Sequence, residues 1–235
     1  MKKVNGRGLG LGIALALLLG LTALATTEQD VLNLIAQLPF SATDNSFLAT
    51  SYKKGMDDGR LTPDQAVDLI QKVGLQNNAP VDQRKDVLVT IGQALLEELP
   101  VDMLVSKAEE GVAKGVSMSD ILKQIQERKV TLEQVKALFD QHGIRSNVAD
   151  RTSPYTQTII DAAISDVASA LEDYVRGGSN PNDAASVKTA VLATLKQDGR
   201  LPAGLVSSID EHVSDSDLSA IAQAIAARLK QSETF

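Results

Sequence analysis

His142 and His212 are the two imidazoles of this chain. A neutral imidazole nitrogen is a common ligand for zinc and related metals. Each follows an acid–polar pair, Asp140-Gln141 and Asp210-Glu211, and the two stand 70 residues apart. A paired metal site is one reading. Each histidine also falls near the end of an expected helix, where the helix dipole favours a cationic ring. Tandem copies of a module need not turn equivalent residues toward each other. The helix-end placement accounts for both histidines, and no metal site is assigned to them.

Asp57-Asp58-Gly59-Arg60-Leu61 and Asp198-Gly199-Arg200-Leu201 invite comparison with calcium loops. With Gly59 at the sixth loop position, Lys54, Met56 and Gln65 fall where oxygen donors belong. With Gly199 there, Thr194, Lys196 and Leu205 do. The better reading is an Asp-Gly turn joining two helices. Ser51-Tyr52-Lys53-Lys54 has the Ser-x-x-Lys spacing of a serine acylase, but no Lys-Thr-Gly element accompanies it. Glu97 with Glu98, and Glu109 with Glu110, are adjacent carboxylates of the kind that line a solvated helix face. The chain has no Gly-x-Ser-x-Gly, phosphate loop, His-Glu-x-x-His or dinucleotide fingerprint. No catalytic, cofactor-binding or metal-binding residue is therefore assigned. The chain is expected to be a non-enzymatic protein without a cofactor.

The elements that would position these residues are helices. Leu88, Ile91, Leu95 and Leu99 recur at steps of three to four, as do Ile160, Ile164, Val167 and Leu171, and Leu218, Ile221, Ile225 and Leu229. No segment sustains a two-residue alternation. The expected fold is all-α, a multi-helix bundle or short helical array with an internal duplication. Thr62 should cap a helix with Pro63 at its first position and Gln65 completing a capping box. Thr131 and Gln134 repeat that box, with Val130 and Val135 as a hydrophobic staple. Ser117 with Asp120 should open a further helix, with Val116 stapled to Ile121. Gly74, Gly115, Gly143 and Gly178 stand where helices should stop.

The boxes belong to an internal repeat. Residues 60–69 align with 129–138, and a weaker third copy begins at Arg200-Leu201-Pro202. The steps of 69 and 71 residues are long for a solenoid and suit a duplicated multi-helix module. Glu109–Gly115 and Glu172–Gly178 form a second echo. Both read as helix ends closing on a basic residue and glycine. Glu110-Gly111-Val112-Ala113-Lys114-Gly115-Val116, followed by Ile121, resembles a phrase of uncharacterised exported helical proteins of bacteria. That resemblance implies export and helices and carries no activity with it.

Lys2, Lys3 and Arg7, the apolar stretch Leu9 to Leu24, and Ala23-Leu24-Ala25 have the order of a secretory signal peptide. The expected organisation is a signal peptide at 1–25, an N-terminal helical module at 26–146, a linker at 147–154 and a C-terminal helical module at 155–235. The expected location is the periplasm or the medium, with no stable membrane insertion after cleavage. With no cysteine, disulfides and thiolate chemistry are excluded. Without Lys2, Lys3 and Arg7 the chain carries 20 basic against 30 acidic residues, a net −10. That charge argues against nucleic acid as a partner. The seven aromatic residues, Phe40, Phe47, Tyr52, Phe139, Tyr155, Tyr174 and Phe235, are few for a sugar-stacking cleft or a β-sandwich core. The expected function is binding of a partner protein or scaffolding of an envelope assembly, because duplicated helical modules create grooves. The alternative is a small-ligand or metal binder using a cleft between the two halves, with a hydrolase third. Composition leaves the oligomeric state open.

Overall fold

A computed structural model describes residues 25–144 and 155–233, and among these every regular element is a helix. Residues 1–24 of the expected signal peptide and the expected linker, 147–154, lie outside the described residues. The helices are α1 (Glu28–Ala36), α2 (Ala42–Asp57), α3 (Pro63–Leu69), α4 (Val81–Leu96), α5 (Asp102–Ala113), α6 (Met118–Gln141), α7 (Gln157–Arg176), α8 (Ala184–Asp198), α9 (Ala203–His212) and α10 (Asp215–Glu233). A π-helical turn, Ile70–Leu75, extends α3. None of the described helices is long and apolar enough to cross a membrane.

Local chemistry starts most of these helices. Thr27, Ser41, Thr62, Ser117, Thr156 and Asp183 each accept a backbone N–H from the first turn of the helix that follows. Such a bond satisfies a donor that the helix itself leaves unpaired. Thr62 and Gln65 form the expected capping box with Pro63 at the first position. Gly115, Gly143 and Gly178 take positive φ just past α5, α6 and α7, as expected. In each case the next amide closes onto a carbonyl five residues back, Val116 N to Gly111 O, Ile144 N to Phe139 O and Ser179 N to Tyr174 O. That 6→1 bond belongs to the Schellman stop.

Two expectations are overturned. Thr131 starts no helix. It lies inside the continuous 24-residue α6, and its hydroxyl donates to the Glu127 carbonyl one turn back. No glycine or proline interrupts residues 118–141, so nothing breaks the helix before Val130, and capping residues do not start a helix by themselves. Gly74 is no stop either. It sits buried inside the π-helical turn, where a Cβ would stand 2.4 Å from Leu38 Cδ2.

Packing follows from α6, which is about 36 Å long at 1.5 Å per residue. Toward the N-terminal helices it packs on α4 and α5, and toward the C-terminal helices on α7 and α10. Helix α2 crosses α4 closely at small residues: a Cβ at Gly55 would meet Leu95 Cδ2 at 2.4 Å, and one at Gly92 would meet Ser51 Oγ at 2.6 Å. Helices α8 and α10 close over α7. Buried side chains from Val31 to Ile225 form one contiguous apolar cluster through both halves. Burial of this apolar surface holds a chain that has no disulfide to help it.

Candidate functional site

The helix termini and turns converge on a cleft of about 550 Å³ between the N-terminal helices and α7. One wall is α5, which presents Asp102, Met103, Ser106, Lys107 and Glu110. The opposite wall is α7, with Thr158, Asp161, Ala162, Ser165, Asp166 and Ser169. Arg60 enters from the turn between α2 and α3, Arg200 from the turn between α8 and α9, and Arg128 from α6.

Helix periodicity explains how α7 serves the core and the cleft together. At 3.6 residues per turn, Asp161 and Asp166 are about 140° apart around the axis. Thr158, Ala162, Ser165 and Ser169 project between them, into the cleft. Ile160, Ala163, Ile164, Val167, Ala170 and Leu171 project on the other side, and all are buried. The two aspartates therefore stand at the two borders between core and cleft. At 7% and 5% exposure they are among the few buried charged residues of the chain.

Each border aspartate meets one of the turn arginines. Arg60 Nε donates to Asp161 Oδ2 at 3.0 Å, and Arg60 Nη1 to Asp58 Oδ2 at 2.9 Å. Gln157 Nε2 donates to Asp161 Oδ1 at 2.6 Å. Arg200 Nη2 donates to Asp166 Oδ1 at 2.6 Å and lies 3.5 Å from Asp198. Asp166 Oδ2 is buried and has no hydrogen-bond donor among the described residues. Burial holds the Asp166 carboxyl above the ordinary aspartate range; Arg200 opposes this, and Asp198 adds to it. Further along α7, outside the cleft lining, the buried Glu172 Oε2 lies 3.3 Å from Arg128 Nε without hydrogen-bond geometry. Burial raises Glu172 despite the neighbouring Arg128, Arg176 and Arg228.

No family model, curated protein or solved structure matches this chain.

The residues singled out from the sequence fall in several places. His142 caps the C-terminus of α6 and meets Asp217 Oδ2 at 3.2 Å. His212 ends α9, with Nδ1 2.9 Å from the Ser208 carbonyl. Both occupy helix C-termini, as the dipole reading expects, and neither lines the cleft. Among the described residues, no three His, Cys, Asp or Glu side chains are grouped so that they could hold a metal ion. Ser51 is buried and donates to the Leu48 carbonyl, while Lys54 reaches Asp58 and Glu98. Ser51 and Lys54 thus have separate partners. Glu97 bonds Lys129, and Glu109 pairs with Lys72. Glu110 pairs with Lys107 and Lys114, whose hydrogen bonds hold its carboxyl well down, at about 2.

The Asp-Gly-Arg-Leu segments are the turns between helices that the sequence suggests, and their arginines are what the cleft uses. Asp161 and Asp166 carried no sequence assignment. Their signal was two acids bordering the apolar stripe of one helix, together with a tetrapeptide that occurs twice. Joining those clues needs the distance from Arg60 to Asp161, 101 residues along the chain.

Proposed function

We propose that this protein is an exported, non-enzymatic binding protein that holds a small polar ligand in the cleft between α5 and α7. The observation that carries the reading is Asp166, a buried carboxylate in the cleft wall with one oxygen unmatched. A buried acceptor without a donor costs the fold free energy. Such a cost is retained most readily where a ligand offsets it. The cleft moves the preference from a partner protein, expected from the duplicated modules, to a small ligand. Its size is within the range of small-molecule sites, and its walls combine hydroxyls and charges with Met103, Ala162 and Pro100.

A thermal-shift screen of the purified protein against small polar metabolites tests the reading. Ala162 is exposed on the cleft wall, so Ala162→Trp fills the cleft without entering the core. A compound that raises the melting temperature of the wild type and not of Ala162→Trp is the expected result. Stabilisation that survives Ala162→Trp, or none from any compound, would defeat it. Export is tested separately: the intact mass of the exported protein should correspond to a chain starting at Thr26.

A further inference from the structure

The charges around the cleft are not equally satisfied. Arg60 is held by Asp161 and Asp58, Lys107 by Glu110, and Arg128 lies beside Glu172. Each of these cations has a carboxylate beside it, hydrogen-bonded for Arg60 and Lys107 and paired by charge alone for Arg128. On the acidic side, Asp161 accepts from Arg60 and Gln157, and Asp102 accepts from Gln65 at 2.9 Å. Asp166 differs: one oxygen accepts from Arg200 and the other, buried, accepts nothing among the described residues. Among the residues that line the cleft, the buried atom left unmatched is thus an acceptor, and it calls for a donor.

Arg200 is the only donor among the described residues that reaches Asp166, and it is poorly held. Its side chain is 68% exposed, against 6% for Asp166. The exposed guanidinium itself loses little on leaving, because water takes over its donors and side-chain freedom is regained; the cost falls on the buried Asp166, and a second cation seated there would offset it. A carboxylate can accept two parallel N–H bonds from a planar guanidinium, and Arg200 supplies one. Next to Asp166 on the cleft wall lie Ser165 and Ser169, whose hydroxyls can accept further N–H groups. Ser169 also sits 3.6 Å from Met103 Sδ, so the far wall is apolar at that level.

We infer that the cleft is a site for a small organic cation, an alkyl guanidine or amine. Its charged head docks on Asp166 in place of Arg200, and its short aliphatic stem lies against Met103 and Ala162. Arg200 acts as a built-in stand-in for the head group, covering Asp166 until the ligand displaces it. This inference rests on the cleft being the functional site. The net acidity of the chain, −7 over all residues, favours approach of a cation.

The test is calorimetric titration of the purified protein with agmatine and with putrescine, at matched ionic strength. Citrate and phosphate serve as anionic probes. Agmatine or putrescine should bind, and Asp166→Asn should weaken that binding about tenfold or more through loss of the charge-assisted bonds. Arg200→Ala, a change at an exposed side chain, should tighten binding severalfold by removing the competitor. That second variant decides the matter independently of Asp166→Asn. Anion binding that Ala162→Trp abolishes, with no cation binding, would overturn the ligand class and leave the cleft reading standing. Cation binding unchanged by Arg200→Ala and Asp166→Asn would place the ligand elsewhere and overturn the inference. Absence of binding by every probe would overturn it too.

Discussion

Asp58-Gly59-Arg60-Leu61 and Asp198-Gly199-Arg200-Leu201 are the same four residues, and each turns the chain at a glycine of positive φ. Gly59 and Gly199 take φ of 71° and 61°, and Leu61 and Leu201 are both buried. The arginines nevertheless differ: the Arg60 side chain is 5% exposed and that of Arg200 68%. The tetrapeptide fixes a turn and aims an arginine at α7. What lies around the turn decides whether that arginine becomes a fixed part of the wall or a loose cover. The partners differ accordingly. Asp161 has both oxygens engaged, and Asp166 has one.

Substitutions at the two turns should separate these roles. The largest effect is expected from Arg60→Ala, which removes the guanidinium from the nearly dry Asp161 carboxylate. Breaking one side of a buried ion pair costs about 3 kcal/mol, and urea unfolding would measure it. If Arg60→Ala and Arg200→Ala cost the same, the two turns are equivalent and the comparison fails. Next come Gly59→Ala and Gly199→Ala. Both positions need the left-handed conformation, so each change should cost about 1 kcal/mol, and the two costs should agree. Agreement there, beside a large difference at the arginines, would locate the difference in the surroundings and not in the backbone.

Asp166→Asn should have a smaller effect of opposite sign. Because burial raises the Asp166 carboxyl in the folded state, the folded chain holds that proton more tightly than the unfolded chain. This contribution favours the fold below the ordinary aspartate value of 3.8. It is lost as pH rises through the raised value. The asparagine variant should therefore be somewhat more stable than the wild type at pH 7, and the gap should close toward pH 3. Thermal melts across that range check the sign. Arg200→Ala is expected to cost less than Arg60→Ala, because the guanidinium it removes is 68% exposed, although its partner Asp166 is buried.

What could be read from the sequence was local. The Thr62 and Ser117 caps and the glycine stops after α5, α6 and α7 depend on residues within one turn of each other, and the structure contains them. Thr131 shows where that logic stops. Its neighbours match Thr62 and Gln65 in type, but Arg60 follows the Asp58-Gly59 turn and Lys129 follows an unbroken helical run. Its place in α6 brings a long-range partner: Arg228 from α10 donates to the Thr131 hydroxyl at 3.0 Å and lies 3.4 Å from Gln134. The cleft was still less legible, since its arginines and aspartates come together only once α6 has set both halves around itself. Asp161 and Asp166 could be noticed as acids on an apolar border, but which cation each would meet is a property of the packing.

Arg60 is a fixed part of the cleft wall, and on the proposed reading Arg200 is displaceable. A crystal structure of the protein soaked in agmatine tests it most directly. The expected result is a guanidinium on Asp166, with Arg200 turned out to solvent and the Arg60–Asp161 bond intact at its present 3.0 Å. Arg200 still seated on Asp166 with the ligand bound elsewhere, or Arg60 displaced in its place, would contradict it.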